Sequence, residues 1–298
     1  MRPRTDPLPR LVHRAGAGAP SDGRLAGPGF LPVMRGTHVP APVDLTYELR
    51  LVAARERLPD AAVFSGPSAL WIHGVDHLRA DGPIEVSSPH GARVRSRPGL
   101  AVRARNLAPD DVVAGPWGPV TSVARTAYDV GRHPSRYRSV PELDALAAAT
   151  GVTADDVLAV AARNRGARWI RQLPAALDLM DGRAESVRES QLRVVAESYG
   201  LPRLEPQVVL RDAAGTFVAR LDLAWRRLRA ALEYDGAYHD DPAQFAKDRA
   251  RINRITACGW RVLVVDRHLF ADHDALERAV RHLHAQAVEE AGLRDRRG

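Results

Sequence analysis

The stretch "RLDLAWRRLRAALEYDGAYHDD", residues 220–241, places three acids where a half-buried strand would carry apolar residues. Its alternation predicts two strands, Phe217 to Trp225 and Ala230 to Tyr234, joined by the polar turn Arg226, Arg227, Leu228, Arg229. Side chains alternate along a strand, so Asp222 shares a face with Arg220 and Ala224, and Glu233 shares one with Ala231 and Asp235. Folded as a hairpin, the two strands gather Asp222, Glu233 and Asp235 on one face. Clustered carboxylates repel, and burying them is costly unless a cation or basic neighbour intervenes. A hard divalent cation such as Mg²⁺ (or Mn²⁺), held through Asp222 and Glu233 with water and phosphate oxygens completing its shell, is one solution. A solvated polar face is the other, since antiparallel sheets often show one side to water.

The chain continues "DPAQFAKDRARINRITACGWRVLVVD". Asp-Pro is a helix start signal and Gly259 a stop, which predicts a helix over Pro242 to Ala257 followed by the short buried strand "WRVLVVD". Asp248, Arg251 and Ile255 fall on one face of that helix, so an acid and a base ride beside the apolar seam. Lys247, the only lysine in the chain, is turned away from Asp248. Asp248 with Arg251 reads either as part of a site or as a salt bridge that pins the helix to the sheet.

The run Asp222, Glu233, Tyr234, Asp235, Gly236, His239, Asp248, Arg251, then Gly259, Trp260, Arg261 and Val262, resembles the small nuclease domain related to very-short-patch repair endonucleases, of the PD-(D/E)XK restriction-endonuclease-like superfamily. The resemblance covers about residues 184–269. It implies that Glu189 of "RESQLR" joins the site from the first core helix and that Asp222, Glu233 and the Tyr234 carbonyl hold Mg²⁺ or Mn²⁺. Asp235 completes that shell, His239 is the site histidine, and DNA is the substrate. The family signature has Lys two residues after the acid, where this chain has Asp235. Arg251 is the expected substitute, ahead of Lys247.

The elements that must position these residues belong to a chain of 298 residues, 45% hydrophobic, with a net charge of +7. That length accommodates two domains, and no apolar run approaches the roughly 20 residues of a membrane span. A single cysteine, Cys258, excludes an internal disulfide framework, and the N-terminus lacks the apolar core of a secretory signal, so a soluble cytoplasmic protein is expected. The positive charge suits a nucleic-acid partner, although a preference for Arg, Ala, Gly and Pro also follows from a GC-rich genome.

Residues 1–25 read as a disordered leader rich in Pro, Gly and Arg. An α/β module follows over 26–134: a hairpin at "GFLPVMRGTHVPA", a helix from Leu45 to Arg57, a short helix capped by Ser65 or Ser68, strands at "PIEVSS" and "LAVRARNL", and a helix capped by Ser122. "SGPSALWIHGV" and "VTSVARTAYDV" make this region similar to AbiEi-like antitoxin and transcriptional-regulator proteins of actinobacteria, which implies DNA contact and a protein partner of toxin–antitoxin type. His73 and His77 lack an acid or Cys at ligand spacing and read as structural. Residues 135–183 form a helical connector of amphipathic helices, with capping boxes at Ser139/Glu142 and Thr153/Asp156.

The expected fold class is therefore α/β, a restriction-endonuclease-like core of mixed sheet flanked by helices over 184–289, with a smaller α/β N-terminal module, a helical connector and a basic tail at 290–298. The expected function is metal-dependent DNA endonuclease. The alternative is a non-catalytic DNA-binding transcriptional regulator of antitoxin type, in which the nuclease fold serves as scaffold.

Overall fold

The computed structural model describes residues 8–14, 19–75, 81–89, 94–235 and 242–296. It is mixed α/β, with sheets flanked by helices, and divides into two units: Met1–Val130 with Ala149–Ile170, and Gly131–Ala148 with Arg171–Gly298.

In the first unit β1 (Val12–His13) leads through α1 (Asp22–Leu25) to β2 (Phe30–Met34) and β3 (Thr37–Pro40), which form an antiparallel sheet in the order β1-β3-β2. The expected hairpin thus gains a third strand. The reading of residues 1–25 as disordered does not hold for the described part of that segment. Val12 pairs with His38, and Ser21 caps α1 by accepting from the Arg24 amide. Next come α2 (Tyr47–Arg55), β4 (Val63–Phe64), α3 (Pro67–Ile72), β5 (Ile84–Ser88), β6 (Leu100–Ala104), β7 (Val112–Gly115), β8 (Gly118–Thr121) and α4 (Val123–Gly131). The five strands make a mixed sheet in the order β6-β5-β4-β8-β7, and Phe64, Ile84, Val86, Leu100 and Val120 bury one core with Leu49 and Leu51 of α2.

Neither Ser65 nor Ser68 caps α3. The capping position is Gly66, at φ 53°, where a Cβ would come within 2.4 Å of the Glu85 carboxylate, so only glycine fits. The two serines instead tie the helix to β5: Ser68 Oγ accepts from the Glu85 amide at 2.8 Å, and Ser87 Oγ donates to Ser65 Oγ at 2.9 Å. In α4, Arg125, 3% exposed, spans Asp129 of the same helix (3.0 Å) and Asp111 just before β7 (2.6 Å).

The connector contains α5 (Arg136–Thr150), α6 (Ala154–Arg163) and α7 (Leu173–Leu179). Its residues do not form a separate body, because most of α5, together with α7, packs in the second unit while α6 packs in the first. The Thr153/Asp156 box is complete. The Ser139/Glu142 box does not form: α5 starts three residues earlier, so Ser139 is a buried interior residue whose amide donates to the Ser135 carbonyl.

The second unit continues with α8 (Val187–Ser198), β9 (Glu205–Arg211), β10 (Phe217–Trp225), β11 (Ala230–Asp235), α9 (Pro242–Ala257), β12 (Arg261–Asp266), α10 (Arg267–Ala271) and α11 (His273–Asp295). Because α11 runs through to Asp295, there is no break at residue 290 to set off a tail. The sheet order is β12-β11-β10-β9, antiparallel from β9 to β11 and parallel between β11 and β12, with α9 as the crossover. Leu223, Trp225 and Leu232 face Leu192 and Val195 of α8 and Leu276 and Val280 of α11, whereas Ala224 and Ala231 face Ile255 of α9 and Trp260. No single described helix is long and apolar enough to cross a membrane.

Candidate functional site

Strands β10 and β11 are joined by a short 3-10 turn whose last residue, Arg229, takes the left-handed conformation. Their register pairs Leu223 with Leu232 and Ala224 with Ala231. Continued by one step, it sets Asp222 opposite Glu233 on the face covered by α9. At that point the carboxylates themselves accept the backbone donors. The Asp222 amide donates to Glu233 Oε1 at 3.3 Å, and the Tyr234 amide donates to Asp222 Oδ2 at 3.0 Å. In an extended strand the N–H and C=O of one residue leave on the same edge, so the Tyr234 carbonyl also opens toward β10. The Tyr234 ring lies on the opposite face, edge-on to Phe270.

Arg251 enters from α9. Its Nη1 donates to Glu233 Oε2 at 2.6 Å and its Nη2 to the Arg220 carbonyl at 2.8 Å, so the guanidinium bridges helix and sheet. Asp248 is exposed, and its charge also favours the Arg251 cation, after those of the buried Glu233 and of Asp222. Lys247 is exposed.

Glu189 borders the pair from the first turn of α8 and is 8% exposed. Its Oε2 accepts from Gln207 Nε2 at 2.7 Å and from the Glu185 amide at 3.1 Å, while its own amide is capped by Ser186 Oγ. Burial, and then the charge of Glu233, push the Asp222 carboxyl up to about 7, and Glu189 adds in the same direction. Burial also raises Glu233, opposed by Arg251. The proton that this pair retains near neutrality therefore sits on Asp222, since Glu233 has the guanidinium.

Asp235 ends β11 and is exposed beside Asp266 of β12. Its place in the alternation is that of Glu233, but it lies beyond the buried part of the face. His239 and Gly236 lie outside the described residues, as does His77. His73 is structural, with Nε2 on the Thr121 carbonyl at 2.8 Å. Residue spacing singles out neither Gln207 nor the pairing of Arg220 with Glu185. Gln207 holds Glu189 from a left-handed backbone, φ 55°, and Arg220 pairs with Glu185. Only the break in strand alternation at "EPQVV" hints at the first, and nothing local signals the others.

Among the described residues no three His, Cys, Asp or Glu side chains converge on one point. Mg²⁺ requires only one or two carboxylates, however, and otherwise keeps water. The Asp222–Glu233 pair fits that need: a half-buried and a buried carboxylate face each other, and burial raises both, a cost that a divalent charge would offset.

Residues 61–179 match the family model described as the AbiEi antitoxin C-terminal domain. The chain is 34% identical over 179 residues to the uncharacterized protein MT2308 of Mycobacterium tuberculosis strain CDC 1551 / Oshkosh, and to the same degree to the uncharacterized protein Rv2248 of strain ATCC 25618 / H37Rv. Each match covers 59% of this chain and 65% of the relative, so the chain spans less than two thirds of the length of these relatives. Among solved structures, that of the RV2827C protein from Mycobacterium tuberculosis aligns with a TM-score of 0.40 at 18% identity, over 57% of this chain and 72% of that one. Over residues 61–179, then, this chain is similar to an antitoxin domain.

Proposed function

We propose that the protein is a DNA-contacting regulator of antitoxin type with a protein partner of the toxin–antitoxin kind. The match of residues 61–179 to the AbiEi antitoxin C-terminal domain carries this reading. The net charge of +7 supports it, because phosphate contacts supply most of the sequence-independent affinity for DNA. The test is a gel-shift titration of the full chain on duplex DNA from upstream of its own gene against scrambled duplex, over a salt series. Preference for the native sequence that persists as salt rises is expected; equal affinity for both duplexes removes the regulator reading.

A second reading has its own observation, the Asp222–Glu233 pair. The four-stranded mixed sheet between helices supports a restriction-endonuclease-like core, and this unit would hydrolyse phosphodiester bonds. Asp222, Glu233 and the Tyr234 carbonyl are the residues that would hold Mg²⁺ or Mn²⁺. Bound there, the ion supplies positive charge for the scissile phosphate and a water of lowered pKa. Arg251 presents a fixed guanidinium to the phosphate, Glu189 sets the local negative charge, and His239 is the candidate acid or base. Asp235 stands where the superfamily has its Lys, so Arg251 must supply the positive charge. Plasmid nicking that needs Mg²⁺ or Mn²⁺ and disappears in Asp222→Ala is expected; equal nicking by both proteins points to a contaminant and ends this reading.

A further inference from the structure

Beside the carboxylate pair, along β9 and β10, lies a groove of about 590 Å³. Four arginines line it: Arg211 from β9, Arg220 from β10, and Arg251 and Arg254 from α9. Two of them already engage acids, Arg220 with Glu185 and Arg251 with Glu233, and Asp222 stands among the lining residues. At its far end from Asp222 stands Phe217, at 58% the most exposed large hydrophobic side chain among the described residues, with Val209 of the neighbouring strand 43% exposed beside the same groove. An aromatic ring presented to solvent at one end of a line of arginines is the combination that grips a sugar–phosphate chain while stacking on a base. Asp222 lies five steps along the strand from Phe217, roughly 17 Å at 3.4 Å per residue, so a strand stacked on Phe217 reaches the carboxylates within a few nucleotides.

We propose that this groove binds a single nucleic-acid strand, with Phe217 as the stacking platform and Arg211, Arg220 and Arg254 along the phosphates leading to Asp222. A single strand is specified because only an unpaired base offers its face to such a ring; in a duplex, neighbouring pairs cover it. The groove's arginines carry the affinity. For what the carboxylates then do to the strand, the proposal rests on the endonuclease reading above.

The test is fluorescence anisotropy of the full chain in EDTA, which separates binding from metal-dependent cleavage, with short labelled oligothymidylate, oligouridylate and a duplex of equal length. Binding of both single strands, unlike any duplex binding, should depend on the groove residues, and whichever single strand binds tighter assigns the sugar. Phe217→Ala should weaken single-strand binding about tenfold, with Phe217→Tyr restoring it. Arg254→Ala should flatten the salt dependence by about 0.7, the slope lost with one phosphate contact on a single strand. An equal effect of Phe217→Ala on duplex and single-strand binding, no effect of Phe217→Ala, or displacement by poly-glutamate as effective as by oligonucleotide overturns the proposal. Loss of binding with metal-dependent nicking intact defeats the groove and spares the endonuclease reading. Binding without nicking does the reverse.

Discussion

With Glu233 across the hairpin and Glu189 nearby, Asp222 keeps its proton up to about 7, chiefly because it is buried. An unfolded chain releases that proton near 3.8. Between those values the folded state binds more protons than the unfolded one, so stability falls as pH rises through the window. The melting temperature is expected to drop from about pH 4 to pH 7, and Asp222→Asn should flatten that drop, leaving the smaller slope due to Glu233. Parallel curves for the two proteins would falsify the assignment of the proton to Asp222. If the pair takes a divalent cation, Mg²⁺ raises the melting temperature above pH 7 in the wild type and not in Asp222→Asn. Arg251 gives a second measurement. Its removal strands the buried Glu233, at a cost of about 2 kcal/mol, below the roughly 3–5 of a fully buried pair because a third of the Arg251 side chain meets solvent. Arg251→Ala should therefore melt several degrees lower, whereas the exposed Lys247→Ala should melt with the wild type; equal melting of the two variants removes Arg251 from the structural role.

At the scale of elements, β10, β11, α9 and β12 are legible in the sequence because each carries a strong local signal: alternation, an Asp-Pro start, a closing glycine, a short apolar run. The site's acids follow, since register alone sets Asp222 against Glu233. Partners from distant segments are not legible. Within a helix only neighbours three or four residues away can be paired by inspection, which is why Asp248 stands out as the mate of Arg251 although Glu233, from another element, is the stronger acceptor. The same blindness hides Arg193 of α8, 1% exposed, which reaches Asp144 of α5 at 2.5 Å and also bonds the Leu179 carbonyl. Asp144 in turn accepts from the Asp181 amide at 2.7 Å. Removing one member of so buried a pair leaves an uncompensated charge, so Arg193→Met should cost about 3–5 kcal/mol. Combining it with Asp144→Asn should cost less than the sum of the two single changes. Additive losses in thermal melts would mean that the two residues act separately.

At the scale of the molecule, the resemblance to a nuclease begins near Ala184, and the antitoxin match ends at residue 179, so both place a boundary in the same short segment. Packing disregards it. The second unit also takes in Gly131–Ala148 and the chain from Arg171, because α8 cannot satisfy Arg193 without α5 and α7. Close approach reinforces the requirement: a Cβ on Gly182 would lie 2.9 Å from the Ala148 amide nitrogen, so the chain before α8 is pressed against α5. Sequence similarity marks where relatives diverge, whereas contacts mark what must fold together, and nothing in a local motif reports the second. A fragment spanning residues 184–298 carries Asp222, Glu233 and Arg251 but lacks the acceptors of a buried guanidinium, and it loses the Leu173, Leu177 and Leu179 side chains buried in α7. It is expected to give poorly dispersed amide spectra and no cooperative melt, while a fragment of residues 131–298 gives dispersed spectra and a single transition. Should the shorter fragment fold as well as the longer one, with the same melting temperature, then α5 and α7 are dispensable to this unit and the boundary near Ala184 is the physical one.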